Sequence, residues 1–257
     1  MLTPPEIARS LLAAGESKAR LPLGKMLLLA ILAGAYIALA GVGATAAAVT
    51  VESGSLAKLL SACVFPAGLS MVILAGSELF TGNCLMVMAL LERRITPAQL
   101  LRNWLTVYLG NAVGGAAVAA LAVYSHTASL FGDGLARSMV SIAESKAALG
   151  FGDAFLRGVL CNFLVCLAVW MAAASKRAEG KVIALFFPIL LFVLCGYEHC
   201  IANLYYLPAG AFAAAEYGVE TTLTLAGCLE NLAAVTLGNL VGGAALGVGY
   251  RFAYLKE

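Results

Sequence analysis

Residues 196–203 read GYEHCIAN, and residues 76–83 read GSELFTGN. Both fit G-x-E-x-x-x-x-N, and each stands inside a long apolar run. A glycine, a glutamate and an asparagine are poor occupants of a hydrocarbon interior. Two such interruptions at corresponding places mark breaks in two apolar helices, because a break strips backbone groups of their partners and polar side chains must then replace them.

Working outward, the likeness continues. A Phe-Pro pair precedes each motif, Phe65-Pro66 and Phe187-Pro188, and NWLTVYLGNAVGGAA at 103–117 follows the first as NLAAVTLGNLVGGAA at 231–245 follows the second. The apolar segments place spans near 26–50, 57–91, 99–124, 154–175, 182–214 and 223–251, of which the second and fifth carry the breaks. Each half thus holds three spans, and an odd number reverses direction, so the halves are inverted repeats, about 26–124 and 154–251 of a single transmembrane domain over 1–257. Interrupted segments at matching places in inverted halves point to a transport site near the midplane.

Composition agrees. Of the 257 residues, 62% are hydrophobic and 12% charged, with a mean hydropathy of +0.94, where soluble domains carry about a quarter charged residues. The net charge of +2 and the lack of basic stretches interleaved with aromatics argue against nucleic-acid binding. The uncharged run from Met26 to Val51 exceeds the apolar core of a signal peptide, so it reads as a retained first span. Lysines and arginines divide twelve to four if the N-terminus is inside. Arg9, Lys18, Arg93, Lys176, Arg251 and Lys256 are among the twelve, and Lys58, Arg137, Lys146 and Arg157 are the four outside. Both termini are then cytoplasmic. Residues 125–153 read as a partly helical surface connection.

Seven cysteines, none in a CxxC pair, read as small apolar helix residues, with no metal site and no cofactor implied. The chain lacks HExxH and G-x-S-x-G, which speaks against a protease or hydrolase, and lacks the paired NPA motifs of water and glycerol channels. The paired GxxxG runs, Gly110 to Gly114 and Gly238 to Gly242, read as close-packing surfaces.

Glu78, Asn83, Glu198 and Asn203 recur in both halves and are expected to brace the breaks. Thr81 and His199 do not recur: they align with Ile201 and Leu79. Asymmetric polar residues at symmetric breaks are the better candidates for substrate contact. Asn162, inside a span, either braces a break or lines the path. Short helices are expected to restart near 84 and 202, with unpaired N–H groups that attract anions. A titratable ring beside such a path could exchange a proton with its substrate.

SELFTGN, the N-W-L-x-V-Y-x-G-N run at 103–111, the L-C-N-x-L-V-C-L-x-V-W run at 160–170 and E-H-x-I-A-N at 198–203 closely resemble the formate/nitrite transporter family, which includes hydrosulfide channels. The resemblance runs nearly the whole length. It implies an all-α, aquaporin-like six-helix protomer, a homopentamer in the lipid bilayer of the cytoplasmic membrane, and a path through each protomer for formate, nitrite or hydrosulfide, with lactate or acetate and proton-coupled transport as alternatives. It further implies that Thr81 and His199 form the central polar pair, faced by Asn162. Lys146 would support the anion from the outer vestibule. Phe65 and Leu69 would form the cytoplasmic slit, and Leu79, Val165 and Phe192 the outer one. Tyr197 and Cys200 depart from the phenylalanine and serine often seen around the E-H pair.

Overall fold

Among residues 1–255, which the computed structural model describes, every regular element is helical; Lys256, counted with the inner charges, lies outside them. Helix α1 (Pro4–Ala19) is amphipathic, and α2 (Leu23–Ala48) is the first span. The second span is α3 (Gly54–Val64) continued as α4 (Pro66–Ala75), then a break, then α5 (Phe80–Asn83), a 3₁₀ turn (Cys84–Met86) and α6 (Val87–Leu91). Helix α7 (Pro97–Tyr124) is the third span. After α8 (Gly134–Ala147) come α9 (Phe151–Ala173), the broken pair α10 (Ala178–Leu194) and α11 (Cys200–Tyr217), and α12 (Leu225–Tyr254).

Local chemistry sets several of these boundaries. Thr96 and Gln99 form a reciprocal cap at the start of α7, at 3.2 and 2.8 Å, with Pro97 in the first turn, a combination that satisfies two otherwise orphaned N–H groups. Each break opens on a glycine with positive φ, +78° at Gly76 and +69° at Gly196. Only a residue without Cβ turns the chain this way cheaply, so the two glycines stop α4 and α10 where the motifs begin.

Among the described residues five helices, with α3 and α4 taken as one, are long and apolar enough to cross a membrane; the 17-residue α10 and 18-residue α11 share the remaining passage. Helix α2 packs along α7, and α9 along α12. Gly110 and Gly114 lie against the backbone of α2, Gly238 and Gly242 against that of α9. Leu101, Leu105 and Leu109, one turn apart on α7, are exposed on the surface of the single chain. The 125–153 connection is less superficial than its composition suggests. Leu135, Ala136, Met139, Val140 and Ala143 of α8 are buried, packed in part against Tyr205, Ala209 and Ala213 of α11.

Candidate permeation site between two helix breaks

The same network closes both breaks. The Phe80 N–H donates to Asn111 Oδ1 (3.0 Å) and the Cys200 N–H to Asn239 Oδ1 (2.9 Å). The Asn111 amide donates to the carbonyls of Ala30 (2.7 Å) and Glu78 (2.9 Å), and that of Asn239 to those of Gly158 (2.8 Å) and Glu198 (2.9 Å). One asparagine thus serves three backbone groups at each break, where hydrocarbon offers no substitute. This places the restarts at Phe80 and Cys200, earlier than 84 and 202. It also moves the anion-binding potential away from these backbone donors, since the Phe80 and Cys200 N–H groups are already bonded to side chains.

Four charged groups occupy equivalent places beside the two breaks. Glu78 accepts from Asn83 (2.7 Å) and Lys18 (2.7 Å); Glu198 accepts from Asn203 (2.7 Å) and from Lys146 at 2.9 and 3.0 Å. Asn83 also donates to Asn103 (2.9 Å), and Asn203 to Asn231 (2.7 Å). Lys146 is not a loop residue: it lies in the last turn of α8, its side chain 15% exposed, and it is neutralised by Glu198. Lys18 of α1 is its counterpart on the other side, with a side chain 29% exposed.

Thr81 and His199 meet between the breaks. Thr81 Oγ1 lies 3.0 Å from His199 Nε2, and both residues are buried. The ring's other nitrogen, Nδ1, accepts from the Ala202 N–H at 3.1 Å, capping α11. A nitrogen that accepts carries no proton, so the neutral ring holds its hydrogen on Nε2 and donates it to Thr81. The threonine hydroxyl keeps its own hydrogen for another acceptor. Protonating Nδ1 would remove the cap.

Asn162 is wholly buried and uses its amide on backbone, donating to Thr81 O (3.3 Å) and Asn239 O (2.7 Å). Of its two readings, the geometry is that of a brace. Val165, nearly one turn beyond, is buried in the apolar core that holds Phe65, Leu69, Leu79 and Phe192.

Two cavities flank the pair. One, of about 340 Å³, is lined by Lys58, Lys146, Arg157, Glu198 and His199 together with Phe65 and Phe192. The other, of about 560 Å³, is lined by Lys18, Lys25, Glu78, Leu69 and Leu79. The apolar residues therefore divide differently from the expected slits. Phe65 belongs with Phe192, their rings in edge contact at 5.7 Å, and Phe192 stacks on His199 at 5.8 Å. Leu79 belongs with Leu69. Chain direction explains the exchange: Phe65 precedes Leu69 by one helical turn, about 6 Å, on a segment running from the Lys146 side towards the middle, whereas Leu79 is the last residue of the break.

The formate/nitrite transporter model matches residues 5–253. The chain belongs to the formate/nitrite transporter family. Relatives within it include a probable formate transporter of Methanothermobacter thermautotrophicus, 39% identical over 99% of this chain and 98% of that protein. The formate channel FocA of Escherichia coli K12 is 34% identical over 100% and 96%. Among solved structures, one described as an FNT family ion channel superposes with a TM-score of 0.87 at 32% identity, covering 96% of this chain and 98% of that one. A pentameric formate channel with formate bound gives 0.80 at 33%, covering 91% and 98%. This formate/nitrite transporter family member is thus an all-α, multi-pass membrane protein.

Sequence reasoning passed over Asn103, Asn111, Asn231 and Asn239, although the N-x₇-N spacing of both runs displays them. Lys18 was legible only in retrospect, since it stands as far ahead of Asn103 as Lys146 does of Asn231.

Proposed function

We propose that the protein conducts small monovalent anions of weak acids, formate foremost, through a path in each protomer of a homopentamer in the cytoplasmic membrane. Formate heads the class because several relatives carry it in their names; nitrite and hydrosulfide share its size and charge. The Lys18 side faces the cytoplasm, in keeping with the division of lysine and arginine, and both termini lie there. The chain forms one transport domain of two inverted repeats. Their paired hydrogen bonds at Asn111 and Asn239 support this, and the matched Lys18–Glu78 and Lys146–Glu198 pairs extend the likeness to α1 and α8. No catalytic step is assigned to it.

The observation that carries this reading is the buried contact of Thr81 Oγ1 with His199 Nε2, in which a ring that accepts at Nδ1 from Ala202 leaves the threonine its hydroxyl hydrogen to donate. An anion passing Phe65 and Phe192, or Leu69 and Leu79, loses its water, and the Thr81 O–H then donates to it. His199 Nε2–H is the second donor when it turns from Thr81 to the anion. Neither group carries a charge, so the site compensates dehydration without trapping its substrate. Glu78 and Glu198, each neutralised by a lysine, hold the breaks rather than contact the anion. Asn162 fixes the Thr81 backbone.

Flux into proteoliposomes tests the reading, with formate, nitrite, hydrosulfide, chloride and glycerol as permeants. Formate should exceed glycerol, and Thr81→Val should lower formate flux about tenfold, the worth of one hydrogen bond to a charged group, with the pentamer intact by size. Glycerol flux without anion flux, or an unchanged Thr81→Val protein, would overturn it.

A further inference from the structure

Two more polar side chains belong to one half only. The bonds Asn111 to Ala30 O and Asn239 to Gly158 O match α2 with α9 at an offset of 128 (158 − 30). Glu78 N to Leu29 O and Glu198 N to Arg157 O give the same value (157 − 29). On that offset Asn162 stands where the first half has Gly34, and Cys166 where it has Ala38.

Both converge on one atom, the carbonyl oxygen of Thr81. Asn162 Nδ2 and Cys166 Sγ each reach it at 3.3 Å. Helix α5 has four residues before its 3₁₀ turn, and the Cys84 N–H there is shared between Gly82 O and Thr81 O. A helix this short does not hold itself in place, so its orientation depends on what anchors its carbonyls from outside. The space behind the two donors is equally specific. A Cβ on Gly243 would lie 2.5 Å from Asn162 Nδ2, 2.6 Å from Cys84 Cβ and 3.0 Å from Cys166 Sγ. Only glycine there lets both donors reach the carbonyl together.

We infer that Cys166, with Gly243 behind it, is a positioning residue that holds the Thr81 hydroxyl in register with His199 and thereby sets discrimination among small anions. This rests on the proposed role of Thr81 as a substrate contact. The thiol does not touch the anion; it acts through the Thr81 backbone, and its value lies in the S–H donor rather than in its bulk.

The test is the formate-to-acetate permeability ratio in proteoliposomes, with assembly checked by size. Cys166→Ala should lower the ratio about threefold, as befits one weak hydrogen bond, and Cys166→Ser, which keeps a donor, should restore it to within about twofold of the wild type. Gly243→Ala should lower it at least as far as Cys166→Ala. In a Thr81→Val background Cys166→Ala should add nothing, because two residues acting through one contact are not additive. Equal losses in Cys166→Ala and Cys166→Ser, or effects of Cys166→Ala and Thr81→Val that multiply, would reduce Cys166 to packing. A normal ratio in Cys166→Ala beside an altered one in Thr81→Val would sink this inference alone. A normal ratio in Thr81→Val would sink the role of Thr81 itself.

Discussion

Glu198 is 5% exposed and holds two donors at once, the amide of Asn203 and the ammonium of Lys146. A buried carboxylate is tolerable only while it stays paired, and removing one partner of such a pair costs about 3–5 kcal/mol, more than the pair itself contributes. Lys146→Met should therefore lower the thermal stability of the assembled protein by about 3 kcal/mol, and the double variant with Glu198→Gln should regain most of it. Thermal unfolding of the two proteins in detergent measures this; equal losses would mean that the pair is not what holds the break. The acids and amides of the breaks were legible in the sequence because they recur. Their pairing with lysines was not, since nothing local in α1 or α8 joins Lys18 to Glu78 or Lys146 to Glu198. The division of the apolar residues also escaped, because Phe65 and Leu69 are neighbours in sequence yet line different cavities.

The helices came through more faithfully than their ends. Glycines 76 and 196 announced both breaks, since only a residue without Cβ suits the turn, but the restarts at Phe80 and Cys200 are fixed by asparagines on α7 and α12, which no local pattern reveals. The paired GxxxG runs act as read. A Cβ on Gly114 would collide with the carbonyl of Ile31, while one on Gly249, in α12, meets nothing within 4 Å. Gly114→Ala should cost about 1–3 kcal/mol or more from overpacking against backbone, whereas Gly249→Ala should be neutral or stabilising by up to about 1 kcal/mol from helix propensity. Unfolding midpoints of the two variants compare them directly, and similar midpoints would contradict the close packing of α7 on α2.

Outside the spans, Glu144 of α8 ties down the segment before α12. The Thr222 N–H (2.6 Å) and the Thr221 and Thr222 hydroxyls hold its carboxyl below the ordinary 4.5. A carboxyl lowered in the folded state stabilises most above its unfolded value and loses that contribution as pH falls through the folded one. The protection factor of the Thr222 amide, its exchange rate relative to that of an unprotected amide at the same pH, should therefore hold down to about pH 4.5 and fall below it. Protection that fades well above pH 4.5 would show that Glu144 is not the clamp.

Across the whole molecule, the two vestibules are alike in plan and unequal in charge. Lys58, Lys146 and Arg157 face Glu198 in one, a surplus of two positive charges; Lys18 and Lys25 face Glu78 in the other, a surplus of one. Lined clefts of one sign concentrate the opposite ion at their mouths. The two breaks are alike in their paired charges, Lys18 with Glu78 and Lys146 with Glu198, so this inequality is the electrical polarity of the path, and the protein should behave as a leaky diode. In planar bilayers with equal formate on both sides, current carried by anions entering from the Lys146 side should exceed the reverse current at the same voltage. The ratio should approach one as salt rises from about 0.1 M to about 1 M, where screening shortens from about 10 Å to about 3 Å. A current–voltage curve symmetric at low salt would mean that the surplus cations do not reach the permeating ion.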